Sequence, residues 1–94
     1  MSQMNTASLL PALKLDLAIS SDVYDTRLIA RLDTAVWRIE REGCTLEDTE
    51  SDRDLVLMYA AWLWRERVTG AAMPRMLRYA LNNRVLGTAA EVLP

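Results

Sequence analysis

The sequence predicts a single all-α domain, a small bundle of about four helices in the order short, long, long, short, with a flexible C-terminal tail. Three observations carry this. Apolar residues recur at the three-to-four-residue spacing of amphipathic helices. Glycine and proline fall only where such runs would end or begin, at Pro11, Gly43, Gly70, Pro74, Gly87 and Pro94. No stretch alternates apolar and polar residues for the length of a strand, and 94 residues suffice for one core rather than two.

Ser8 is suited to cap a first helix over residues 9–18, and Pro11 is tolerated in its first turn, where amides have no intrahelical acceptor. Ser20, Ser21 and Asp22 then break the chain and start a second helix, Asp22 to Glu42, on which Tyr24, Leu28, Leu32, Ala35 and Ile39 fall in one narrow stripe. Gly43 ends it as a left-handed cap. Residues 44–50 form a connector in which Leu46 is the core candidate, while Cys44 reads as a small, semi-buried residue at a helix end. Ser51-Asp52-Arg53-Asp54 resembles a capping box and opens a third helix over residues 52–69, stopped by Gly70. Met73-Pro74 opens a fourth, which runs through Leu77, Ala80, Leu81 and Val85 to Gly87. Within this single 1–94 domain, residues 85–94 form a tail that is flexible or ordered by a partner.

Composition narrows the chemistry. With 11 basic and 13 acidic side chains the net charge is −2, so no global field holds nucleic acid or an anionic membrane. The absence of histidine excludes imidazole bases and His-containing zinc sites, and the single Cys44 has no internal disulfide partner. No cofactor is implied. The first nineteen residues lack the charge layout of a signal peptide, and a cytosolic setting follows as the expectation.

The third helix carries ten consecutive apolar residues, Leu55 to Trp64, about half of what a membrane span needs. Leu55, Met58, Tyr59, Trp62 and Leu63 occupy one face, and Leu57, Ala61, Trp64 and Val68 the opposite one. A helix apolar all round must be covered all round. Trp37 projects away from the stripe of the second helix, so it either lies flat over a loop or under the first helix, or anchors a subunit interface. The candidate interface set is therefore Trp37, Leu57, Ala61, Trp64 and Val68, and an oligomer is expected. Charge is polarised as well: residues 47–54 hold five acids against one Arg, whereas Arg65, Arg67, Arg75, Arg78 and Arg84 face Glu66 alone in residues 65–84. These arginines form a candidate basic surface, read either as a solvated face, as a partner for a neighbour's acidic segment, or as a contact for passing DNA. Arginine outnumbers lysine ten to one, which favours planar, bidentate contacts.

Met58-Tyr59-Ala60-Ala61-Trp62-Leu63, followed by Arg65 and Arg67 and then by Met73-Pro74-Arg75-Met76-Leu77-Arg78-Tyr79-Ala80-Leu81-Asn82-Asn83-Arg84, resembles the head-tail connector (adaptor) proteins of long-tailed bacteriophages and prophages. The likeness covers residues 55–86. It implies a structural protein of the virion, assembled in the host cytoplasm as a homo-oligomeric ring, dodecameric when docked on a portal. Such a ring extends the DNA channel without sequence specificity and gives the stopper or tail-completion protein its platform. The resemblance implies no catalysis, cofactor or membrane contact. It places the second and third helices in the ring body, and Arg75, Arg78 and Arg84 near a subunit, portal or channel surface.

Two readings from other classes share some of these features. A small DNA-binding regulator would use helix 74–86, with Arg75, Arg78, Asn82 and Asn83 reaching base edges, but a pI near 5.0 and the acidic connector weigh against it. A helical inhibitor or antitoxin would also need exposed tryptophan. Enzymatic activity is not expected, because the carboxylates mostly lie at helix starts or polar faces, where capping and solvation account for them.

Overall fold

The computed structural model describes residues 4–92, with side chains from 4 to 87. A 3-10 turn, Thr6–Leu9, leads into α1 (Leu10–Asp16), followed by α2 (Asp25–Arg41), α3 (Glu50–Thr69) and α4 (Arg75–Val92). No strand forms among the described residues, and the chain is the small all-α bundle its periodicity predicts.

Helices α2 and α3 make the principal pair. The expected stripe Leu28, Leu32, Ala35 and Ile39 is fully buried, and it meets Leu55, Val56, Tyr59, Ala60 and Leu63 of α3. The pair is antiparallel: a short connector joins α2 to α3, and Tyr24 at the start of α2 reaches Trp64 near the end of α3, ring to ring at 5.5 Å. Leu9 and Leu13 close one side of this seam, and Leu46, Leu77 and Leu81 close another. The molecule measures 49 × 27 × 18 Å. Its thin dimension is less than two helix diameters, so most helices keep one flank in solvent.

Helix boundaries differ from expectation wherever several capping residues compete. Ser8 does not cap α1; its Oγ donates to the Asn5 carbonyl at 2.6 Å, inside the 3-10 turn. The end of α1 comes early, at Asp16, in a Schellman arrangement: Ile19 N–H reaches the Lys14 carbonyl and Ala18 N–H the Leu15 carbonyl. Ala18 holds the left-handed position at φ +56°, where glycine is the usual occupant. Helix α2 starts at Asp25 rather than Asp22, because residues 22–24 form a turn in which Val23 N–H donates to Ser21 Oγ. The Asp22 and Asp25 carboxylates both pair with Lys14, at 3.0 and 2.8 Å. Tyr24 consequently leaves the buried stripe and is 41% exposed.

Gly43 takes φ +120°, a conformation that favours glycine, and so turns the chain after α2 as expected. Both Leu46 and Cys44 are buried in the connector, so Cys44 belongs to the core rather than its edge. Thr49, not Ser51, caps α3, its Oγ1 accepting the Asp52 N–H at 3.3 Å. Gly70 ends α3 as predicted, and it does so in the left-handed region. Pro74 lies one residue before α4, and its carbonyl accepts the Arg78 N–H. Helix α4 passes through Gly87 to Val92 instead of stopping there. The tail expected over residues 85–94 is therefore helical as far as Val92, with Val85 packed against the core, and residues 93–94 lie outside the described ones.

Candidate functional site

The five residues expected at an interface separate into two groups. Trp37 is 59% exposed and Val68 is 74% exposed, with Leu57 half-buried. Ala61 and Trp64, by contrast, are buried within the protomer. Trp64 is edge-on to Tyr24, and the Arg67 guanidinium covers its other side at 3.8 Å from the ring centroid. The reason is rotational: α3 buries a broad arc centred on Val56, Ala60 and Leu63, wide enough to include flanking positions from both faces predicted for it. Met58 is left outside that arc, whereas Val68 shares the face of Ala61 and Trp64 and is exposed in the last turn of α3.

Trp37 stands on the solvent side of α2 with the Arg41 guanidinium over its ring at 4.7 Å. Arg41 shields part of the indole and leaves the rest open. Further large apolar side chains, Met76, Tyr79 and Leu86 of α4, are also exposed. A groove of about 630 Å³ runs between α3 and the start of α4, lined by Leu57, Met58, Trp62, Ala72, Met76 and Leu77. Trp62 fixes one wall of it by donating its indole N–H to the Ala71 carbonyl at 3.1 Å. Met76 and Leu86 were hidden from sequence reasoning because the moment of α4 is weak: its buried residues, Leu77 and Leu81, form too short a seam to define an outward face.

The basic set also divides. Arg84 is not a surface cation: its Nε and Nη2 reach the two Asp52 carboxylate oxygens at 2.8 and 3.2 Å, and Nη2 also donates to the Thr45 carbonyl at 2.8 Å. Asp52 is 3% exposed and also accepts the Glu47 N–H at 2.8 Å, so one fork of charge ties α4 to the connector and to the start of α3. Arg78 pairs with Glu42 at 2.9 Å and lies 3.4 Å from Asn82 Oδ1, joining α4 to the end of α2. Arg67 is stacked on Trp64, while Arg65 lines the apolar groove and Arg75 is exposed. Arg78 and Arg84 therefore serve the fold, which leaves Arg75 alone of the three α4 arginines expected to meet DNA or a partner.

A basic concavity forms elsewhere. Arg27 and Arg31 of α2 join Arg67 around a cleft of about 450 Å³ whose apolar walls are Tyr24 and Trp64. The sequence does carry a signal for it. Neither Arg27 nor Arg31 has a carboxylate three or four residues away in either direction, so no intrahelical ion pair is available to them. At the far end of the molecule Glu47, Glu50 and Asp54 are exposed, whereas Asp48 pairs with Arg53 at 2.7 Å.

Burial pushes the Cys44 thiol pKa above its ordinary value, with the nearby Asp52, Glu40 and Glu42 charges acting in the same direction and Arg84 opposing them. Cys44 Sγ lies 3.8 Å from the Ile39 carbonyl. The Lys14 ammonium is held above its ordinary pKa by its hydrogen bonds to Asp25 and Asp22. No helix among the described residues is long and apolar enough to cross a membrane. Comparison with known proteins found no matching family model, no matching curated protein and no matching solved structure.

Proposed function

We propose that this chain is a structural assembly subunit, a ring-forming head-tail connector of a long-tailed phage or prophage. It would dock on the portal, continue the DNA channel and present a platform to the stopper or tail-completion protein. The observation that carries the reading is the amount of large apolar surface left outside the core of so small a bundle: Trp37, Met58, Val68, Met76, Tyr79 and Leu86. Surfaces of this kind mark association faces. The slab-like shape supports the reading too, since a thin subunit offers two broad flanks to neighbours on either side. Arg65 and Arg75 are the members of the expected basic set least engaged by the fold, and they are the residues we assign to portal or channel contact. The function is mechanical, with no reaction step.

The test is light scattering on a sizing column together with negative-stain electron microscopy. The protein is taken at high concentration, alone and with a portal protein of a long-tailed phage. Annular particles with a central channel are the expected result. A stable dimer that retards duplex DNA in a gel and never forms rings would overturn the proposal in favour of a regulator acting through helix 74–86.

A further inference from the structure

The Arg27–Arg31–Arg67 cleft has the chemistry of a receptor for carboxylates. Three guanidiniums converge on it between two aromatic walls, and no acidic residue lines it. Among the described residues no carboxylate pairs with Arg27 or Arg31. The Arg31 Nε is shielded from solvent and has no hydrogen-bond acceptor. A buried donor without an acceptor costs stability unless something supplies one.

The chain itself carries the matching groups. Glu50 and Asp54 stand four residues apart on the first turns of α3, exposed and without a basic partner among the described residues. Arg27 and Arg31 stand four residues apart on α2. Residues at this spacing project from one helix face about 6 Å apart, so the two pairs share a pitch and are opposite in sign. They cannot meet within one molecule. Glu50 and Arg67 lie at opposite ends of α3, about 25 Å apart along its axis.

We infer that the start of α3 in a second copy of this chain, presenting Glu50 and Asp54 with Glu47 alongside, seats against the Arg27–Arg31–Arg67 cleft. The contact joins unlike surfaces and leaves each subunit with one free cleft and one free acidic end. Such a head-to-tail contact propagates, and it gives a ring where the rotation closes and an open chain where it does not. Arg31 is half-buried and its Nε is shielded from solvent, which strengthens ion pairing there relative to an open surface. Nucleic-acid phosphates are the other polyanion such a cleft attracts, but an overall charge of −2 and an unpaired acidic patch of matching pitch favour the protein's own carboxylates. The inference rests on the assembly reading above and names the surfaces it would use.

The test is charge reversal with exchange. Sedimentation equilibrium is run from micromolar to millimolar protein, at low and high salt, on the parent chain, on R27E/R31E, on E50R/D54R, and on an equimolar mixture of the two variants. Each variant alone is expected to associate about 100-fold more weakly than the parent, and the mixture to recover most of the loss, because each then finds a complementary surface on the other. Arg31 is half-buried, so Arg27→Glu alone, at an exposed position, is the milder variant, and it weakens association about tenfold. Circular dichroism confirms that each variant remains helical. A parent that stays monomeric at millimolar concentration and low salt overturns the inference, as does a mixture that fails to recover association. Loss of duplex-DNA retardation in R27E/R31E with no change in mass would overturn it too and assign the cleft to phosphates. If the parent forms rings and the reversed variants form them equally well, the cleft contact is wrong and the ring reading stands. If the parent forms open chains that the reversals abolish and mixing restores, the contact stands and the ring does not.

Discussion

The Asp52–Arg84 fork predicts a large effect at a position that composition would place on the surface. Arg84→Met keeps the apolar stem and volume but removes both bonds to Asp52 and the bond to the Thr45 carbonyl. The Asp52 side chain, 4% exposed, is then a buried carboxylate holding only the Glu47 N–H. Breaking one side of a fully buried pair costs roughly 3–5 kcal/mol. Here the Arg84 side chain is 23% exposed, and water reaching the vacated space reduces the loss to about 2–3 kcal/mol. Asp52→Asn removes the charge while its carbonyl oxygen can still accept from Glu47 N–H, so it should cost about 2 kcal/mol. The double variant should cost less than the sum of the two by about 1.5–2 kcal/mol, since each single change already abolishes the pair. Urea unfolding followed by tryptophan fluorescence reads all three from the midpoint at unchanged slope. A loss below about 0.5 kcal/mol for Arg84→Met, with additive behaviour in the double variant, would refute the reasoning and return Arg84 to the class of solvated surface ion pairs.

Four further outcomes follow from the same structure. Trp64→Ala should cost about 3–4 kcal/mol by emptying a core site, whereas Trp37→Ala should change monomer stability by less than about 0.5 kcal/mol while lowering self-association; urea midpoints and sedimentation separate the two effects. Thr49→Ala should cost about 1 kcal/mol through loss of the α3 cap and Ser51→Ala almost nothing, again by urea midpoint. Ala18→Gly should raise stability by about 0.5–1 kcal/mol, since a left-handed residue without Cβ relieves strain at φ +56° that outweighs the extra freedom glycine gives the unfolded chain. Stability should decline at alkaline pH in two stages: the unfolded Cys44 thiol ionises from about 9.0 while the folded one keeps its proton, and the Lys14 pairing, intact below 10.5, is lost as pH climbs through the raised folded value. In Cys44→Ala the first stage should be absent from a pH series of melting curves.

The helices were legible because their signals are local. Gly43 and Gly70 punctuate where the chain turns, and the Leu28-Leu32-Ala35-Ile39 stripe predicts its burial without knowledge of what covers it. Helix starts were less legible because cap-competent residues are plentiful and the winner is chosen by tertiary contacts. Asp22 is drawn to Lys14 and Asp52 to Arg84, and the helix ends settle around those pairings. The early end of α1 was hidden because an alanine occupies a position where only glycine or asparagine would have announced it. On α3 an unbroken apolar run gives no phase, so nothing local separated buried Trp64 from exposed Met58. Ion pairs between residues separated by more than thirty positions, such as Arg78 with Glu42 and Arg84 with Asp52, have no sequence signature at all. The arginine cleft was partly legible, in the missing acids around Arg27 and Arg31, but its third member comes from another helix.

The way α4 is fastened has a consequence for motion. Among the described side chains, Leu77 and Leu81, the half-buried Ala80 and Val85, and two arginine latches hold it to the hairpin of α2 and α3, while Met76, Tyr79 and Leu86 face water. Its detachment exposes far less apolar area than opening the hairpin does, so α4 is a cooperative unit of its own, opening at a smaller free energy than the rest. Amide hydrogen exchange would then show its backbone protons trading with solvent while those of Leu32 and Val56 remain protected, and added salt, by weakening the half-exposed Arg78–Glu42 latch, would widen that gap.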